Sequence, residues 1–245
     1  MSSTTAAAGV TPGPRPLFAR FIGVITAPKD TFRGVVAAPK WVGMLLLTTV
    51  LVAFFAALPM TTEAGQQAAL DQQVESMKSW GVEVSDQVYA QMEKGKSRMP
   101  YTTAGIVFFM SAIISVIIAG ILFAIFNAVL GGEASFKQVY AVLIHAGAVS
   151  ALGSVFTGLV NFFSGKASTS AANVGALLPM LPEGSFAANL LGTVDVFLIW
   201  YVIVLAIGLG VLYKRRTQPI AFSLLALYAV IALVIAVVKS RAGGA

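Results

Sequence analysis

The chain has no cysteine and one histidine, His145. Disulfides, thiolate metal sites and cysteine nucleophiles are therefore excluded, and a lone histidine with no Glu or His three or four residues away does not make a metal centre. Charge is scarce too: 11% of residues are Asp, Glu, Lys or Arg, against about 25% in soluble domains. With 58% hydrophobic residues and a mean hydropathy of +0.86, the chain has too little polar surface to cover a water-soluble fold.

What it has instead is long uncharged runs. No Asp, Glu, Lys or Arg occurs from Pro100 to Gly131, and a helix needs roughly 20 apolar residues to cross a bilayer. Trp41–Thr62, Gln138–Gly165 and Thr217–Val238 are also uncharged, and Val196–Tyr213 is nearly as long. The expected fold class is an all-α polytopic membrane protein, a five-helix transmembrane bundle. Its spans fall at about 42–60, 105–130, 136–163, 190–213 and 218–238, within a membrane domain over 17–240. Residues 1–16 are small, polar and Pro-rich and read as a disordered tail. They lack the basic start and apolar core of a cleaved signal, so the first span is expected to be retained.

Ahead of the first span, Leu17, Phe18, Phe21, Ile22 and Ile25 fall at helical spacing, with Arg20 among them. Pro28 ends that helix, and Asp30 is placed to cap a short second one carrying Phe32, Val35 and Val36, which Pro39 stops. Such a basic amphipathic segment lies in the membrane interface or docks on the inner end of the bundle; both use the same apolar face. The stretch 61–99 is the one sizeable polar loop. Ala68, Leu70, Val74 and Met77 suggest a helix ending near Gly81, and Ser85 is a candidate N-cap for a second helix bearing Val88, Tyr89 and Met92. Residues 164–188 are a Ser/Gly/Pro-rich connection, in which Leu177–Leu181 are apolar enough to dip toward lipid.

The net charge of +6 does not point to nucleic acid, because the bases sit beside the spans, where they set topology and meet anionic lipid. Arg15, Arg20, Lys29, Arg33 and Lys40 precede the first span, and Lys214, Arg215 and Arg216 fill one tight turn. The bases of the long loop are offset by Glu63, Asp71, Glu75, Glu83, Asp86 and Glu93. The expected orientation is N-terminus cytoplasmic and C-terminus extracytoplasmic, in a bacterial inner (plasma) membrane.

Polar residues inside the spans are the candidate functional groups. Ser150, Ser154, Thr157 and Asn161 are four, three and four apart and so share one helix face, with Gly147 and Gly158 nearby. They read as a seam along which helices approach closely; the functional alternative is a hydrophilic path. Ser111, Ser115 and Ala119, and Gly120, Ala124 and Asn127, repeat the pattern on the second span. His145 points roughly opposite the stripe, near the inner end, and reads as structural or interfacial. Asp195 has two placements. If the fourth span starts at Leu190 it lies within lipid. If the span starts at Phe197, Asp195 lies at the headgroups and Trp200 joins an outer aromatic belt with Tyr213 in the inner one. The second placement also accounts for the tryptophan.

Motifs for chemistry fail on spacing. GLVNFFSGKAS resembles a phosphate loop, but Val160 and Ala167 stand where glycine and Ser/Thr are needed. GLGVLY lies within a span, and there is no HExxH or GxSxG. An intramembrane aspartyl protease needs a second buried acid beside Asp195. Five spans do not divide into the repeated halves of many transporters.

Three segments together carry a resemblance: FIGVITAPKDTFRGVV, the turn LGGEASFKQVY, and DVFLIWYVIVLAIGLG followed by a basic turn and PIAFSLL. Over about 17–238 the chain resembles the Yip-type (Ypt/Rab-interacting protein) membrane domain. The resemblance implies five spans, a cytosolic N-terminus and a scaffolding role, since eukaryotic members resemble scaffolds of early secretory membranes that bind Rab-type GTPases and one another. The N-terminal tail here is short and the polar insert after the first span long, as in bacterial relatives, so GTPase binding is not carried over. The expectation is a non-enzymatic scaffold whose partners are the bilayer, a second copy or other membrane proteins; the rival is a component of a small-solute or ion pathway.

Overall fold

A computed structural model describes residues 16–165, 171–175, 180 and 185–242. All but Pro16 of the expected tail over 1–16, and most of the apolar stretch Leu177–Leu181, lie outside these residues. Every regular element described is helical. The chain enters through two short helices, α1 (Leu17–Thr26) and α2 (Pro28–Ala37), and α3 (Val42–Ala57) runs away from them into a 3-10 turn, Leu58–Thr61. The polar loop is a hairpin of α4 (Glu63–Ser79) and α5 (Asp86–Gly95), turned at Gly81 with φ 76°. Ser85 caps α5 by accepting the Val88 N–H. Then come α6 (Met99–Phe123), widening into a π turn over Ala124–Val129, α7 (Phe136–Ser164), α8 (Phe186–Thr193), α9 (Val196–Leu212) and α10 (Thr217–Ala242).

Four of the described helical stretches are long and apolar enough to cross a membrane: Val42–Thr61, the apolar part of Asp86–Val129, Phe136–Ser164 and Thr217–Arg241. The fifth expected span differs. Its helix is α9 alone, 17 residues from Val196, because the chain breaks at Val194 and Asp195 and the preceding residues form the separate α8.

One end of the bundle gathers α1, α2, the α6–α7 turn and the α9–α10 turn, and with them Lys29, Arg33, Lys40, Lys137 and Lys214–Arg216. We call it the basic end; the α4–α5 hairpin marks the other. At the centre stands α7: in its most apolar 18-residue stretch 67% of the residues are buried, against 11% in that of α6 and 17% in that of α10. Its small residues explain this. Ala141, Ala146, Ala148, Ala151 and Gly153 let neighbours close in on several sides. A capping box of Ser135 and Gln138 starts the helix, and Gly165, at φ 63°, ends it.

The two entry helices dock on this bundle rather than lying free of it. Phe32 and Val35 of α2 are buried, Phe32 beside Val142 and Gly208, and Gln138 Nε2 donates to the Val36 carbonyl at 3.3 Å. Asp30 is in the first turn of α2 instead of at its cap, and pairs with Arg33 at 2.7 Å. The far face of α1 stays open, with Phe18 68% exposed, so one helix pair offers an apolar face to each side.

Candidate functional site

At the hairpin end the polar stripe of α7 meets Asp195. Ser150, Ser154, Thr157 and Asn161 line one cavity of about 460 Å³, together with Phe55 of α3, Pro59 of the 3-10 turn after it, Gln72 of α4, and Asp195 and Phe197 at the start of α9. Asn161 is buried there, while the two serines and Thr157 are half-buried. The glycines beside the stripe make the helix contacts. A Cβ at Gly158 would stand 2.3 Å from the Phe55 carbonyl oxygen, and one at Gly153 would stand 2.8 Å from the Phe197 side chain. The seam and the polar face expected as one feature are thus adjacent strips: glycines touch, hydroxyls line the space between. Gly147 and Gly120 touch nothing within 4 Å of an added Cβ and are not contact points.

The polar lining of the cavity stops at Ser150. From Asn161 to Ser150 it follows α7 for about 16 Å at 1.5 Å per residue. Beyond Ser150, toward the basic end, Val142, Ala146 and Val149 pack with Val204 and Leu205 of α9 in one continuous apolar core.

Asp195 is a helix cap. Its carboxylate accepts the Leu198 N–H at 3.0 Å, and its own N–H donates to the Tyr228 hydroxyl at 3.1 Å. Tyr228 in turn donates to the Thr193 carbonyl. The short segment 172–174 pairs antiparallel across the same break, Val174 N–H to the Val194 carbonyl at 2.9 Å and Val196 N–H to the Ala172 carbonyl at 3.3 Å. The acid sits where α9 begins, in the lining of the cavity.

His145 lies elsewhere. It is fully buried, with Nδ1 2.7 Å from the Ala141 carbonyl and Nε2 3.0 Å from Arg20 Nη1. A carbonyl only accepts and a guanidinium only donates, so Nδ1 carries the proton and Nε2 accepts. Arg20 also donates to the Lys40 carbonyl at 2.7 Å. Burial pulls the Arg20 pKa below its ordinary value, from so high a start that the side chain stays charged. Sequence reasoning missed this pair, because 125 residues separate its members and no local pattern joins them.

Asn127 belongs to a third cluster, at the basic end. Inside the π turn, its Nδ2 donates to the Ala134 carbonyl at 2.6 Å, and its Oδ1 accepts from the Tyr213 hydroxyl at 2.8 Å. Tyr213 stacks on Phe126, ring centroids 4.8 Å apart, and Arg215 donates to the Leu130 carbonyl at 2.8 Å. Asn127 therefore clasps the α6–α7 turn to the end of α9. Ser115, one of the second-span serines, meets the Tyr140 hydroxyl at 3.1 Å. Among the described residues no three His, Asp or Glu side chains converge to hold a metal ion.

Comparison with known proteins places this arrangement. The family model described as the Yip1 domain matches residues 22–238. Membrane protein YknW of Bacillus subtilis (strain 168) is 25% identical over 233 residues, covering 90% of this chain and 91% of its own length. No solved structure matches.

Proposed function

The chain belongs to the Yip1 domain family of integral membrane proteins, and from that premise we propose that it is a non-enzymatic scaffold of a bacterial plasma membrane. It holds a rigid small-residue core around α7 and offers its outer helices to lipid, to a second copy or to other membrane proteins. In this reading α9 is the fifth crossing: 17 residues reach about 25 Å, the lower end of what spans a bilayer. The basic end faces the cytoplasm, which puts the N-terminus inside and the C-terminus outside. The wide apolar faces of α6 and α10, carrying Ile106, Phe109, Ile113 and Ile117 on one and Leu227, Val230 and Val234 on the other, suit a bilayer or a membrane partner.

The observation that carries the scaffold reading is that the polar lining of the cavity goes no further along α7 than Ser150. A conduit needs its hydrophilic face to continue, and below Ser150 this one meets packed Val and Ala. The same cavity is what favours the rival reading, a solute or ion pathway, since it joins an acid to a row of hydroxyls.

Single cysteines along α7 separate the two. Under the scaffold reading, cysteines at the half-buried Ser154 and Thr157 react with a membrane-impermeant maleimide added outside, and those at Val142 and Ala146 stay unreactive from both sides. Labelling at Val142 or Ala146, protected by a transported solute, would establish a pathway instead.

A further inference from the structure

A second concavity, at the basic end, is built differently from the first. It measures about 1100 Å³ and lies between the α2–α3 link, the first turns of α3 and α7, and α6. This exceeds the roughly 300–1,000 Å³ usual for small-molecule pockets. Its walls are apolar: Val42 and Leu45 of α3, Ile113 and Val116 of α6, and Phe136 of α7. Ile113 is half exposed, so the groove opens sideways, toward where lipid lies. Its mouth is basic. Arg20, Lys40 and Lys137 line it, and no Asp or Glu among the described residues does. Trp41 and Tyr140, packed edge to face at 5.0 Å, stand beside these cations, as aromatic residues do at the level of headgroups.

Arg20 adds a specific signal. Its Nη1 is held by the Lys40 carbonyl and His145, so the guanidinium is oriented, yet its Nε is buried with no hydrogen-bond partner. A buried donor left unmatched costs about 1–3 kcal/mol, more when charged. A phosphodiester oxygen entering the groove is an acceptor of matching charge, and guanidinium is well suited to phosphate.

We propose that this groove binds one anionic phospholipid, its phosphodiester among Arg20, Lys40 and Lys137 and one acyl chain along Ile113 and Val116. Basic groups between helices are how membrane proteins select anionic headgroups, and the apolar walls distinguish a lipid from a soluble phosphate ester. The inference requires only that the bundle crosses a bilayer; it holds whether the protein is a scaffold or a conduit.

Native mass spectrometry of the full-length protein in detergent tests it, with dioleoyl phosphatidylglycerol and dioleoyl phosphatidylcholine as probes. The wild type is expected to retain one phosphatidylglycerol in preference to phosphatidylcholine. Lys40 and Lys137 are exposed, so Lys40→Gln with Lys137→Gln should fold and bind phosphatidylglycerol about 25-fold more weakly, about fivefold for each charge. Lys29→Gln with Arg216→Gln, exposed bases at the same end but outside the groove, should leave binding unchanged. Ile113→Trp should weaken both lipids by blocking the acyl path, and soluble glycerol 3-phosphate should displace neither. Equal retention of the two lipids by the wild type would overturn the proposal. So would an equal loss in the control pair, unchanged binding in Ile113→Trp, or displacement by glycerol 3-phosphate.

Discussion

Arg20 and His145 meet at 3.0 Å across the basic end of the bundle, and the contact runs one way, from guanidinium donor to imidazole acceptor. It pins α1 to the most buried helix of the molecule. Arg20→Ala leaves the buried Nε2 without a donor, at a cost of about 1–3 kcal/mol. Arg20→Lys should not restore the loss, because one ammonium cannot serve the Lys40 carbonyl and His145 with the geometry of the planar fork. Thermal unfolding in detergent of Arg20→Ala, His145→Leu and the double variant checks this. Additive losses would mean the two residues do not act as a pair.

Gly158 and Gly120 make a matched test of what the small residues do. A methyl at Gly158 collides with the Phe55 backbone, whereas one at Gly120 meets open space. Gly158→Ala should lower stability by about 1–3 kcal/mol through overpacking. Gly120→Ala should be neutral or raise stability by up to about 1 kcal/mol, from helix propensity. Thermal melts of the two single variants decide it; equal effects would deny that α7 grips α3 through its glycines.

Asp195 serves as the cap of α9, so shape matters there more than charge. Asp195→Asn keeps a good capping side chain and should leave stability within a few tenths of a kcal/mol, while Asp195→Ala should cost about 1 kcal/mol. Tyr228→Phe removes the hydroxyl that joins both sides of the α8–α9 break and should cost about 1–2 kcal/mol. A loss of ion-coupled flux in Asp195→Asn, measured in proteoliposomes, would instead assign the acid to transport.

Topology is the simplest prediction to check. Paired reporter fusions at the C-terminus and in the α4–α5 hairpin should both report the extracytoplasmic side, and fusions in the α6–α7 and α9–α10 turns the cytoplasmic side. Both chain ends in one compartment would remove α9 from the list of crossings.

The features legible in the sequence are those carried by nearby residues. Ser85 announces the cap of α5 because capping acts over three positions, and the faces of α7 follow from a 3.6-residue period. The distribution of roles along α7 was not legible. Whether Gly158 or Gly147 makes the contact depends on Phe55, which arrives from α3 about a hundred residues earlier, and on nothing within α7. Asp195 was ambiguous for a related reason. The residues on both sides of Asp195 are apolar, and the backbone of the break is satisfied by Tyr228 and the segment 172–174, which lie far off in the chain. The amphipathic pattern of the entry helices fits an interfacial or a docked position equally. They dock through Phe32 and Arg20, and the open face of Phe18 is left for the other role.

The wide turn at Ala124–Val129 makes this stretch unusually sensitive to length. A π turn closes its hydrogen bond over five residues instead of four, as from the Leu130 N–H to the Ile125 carbonyl, and so holds one residue more than an α-helical one. Here the extra residue swings the final turn round by about 100°, which is what lets Asn127 reach both Ala134 and Tyr213. Delete one amino acid from this stretch and the helix becomes regular, the amide rotates off its two partners, and the joint between neighbouring rods comes undone without any change in hydrophobicity.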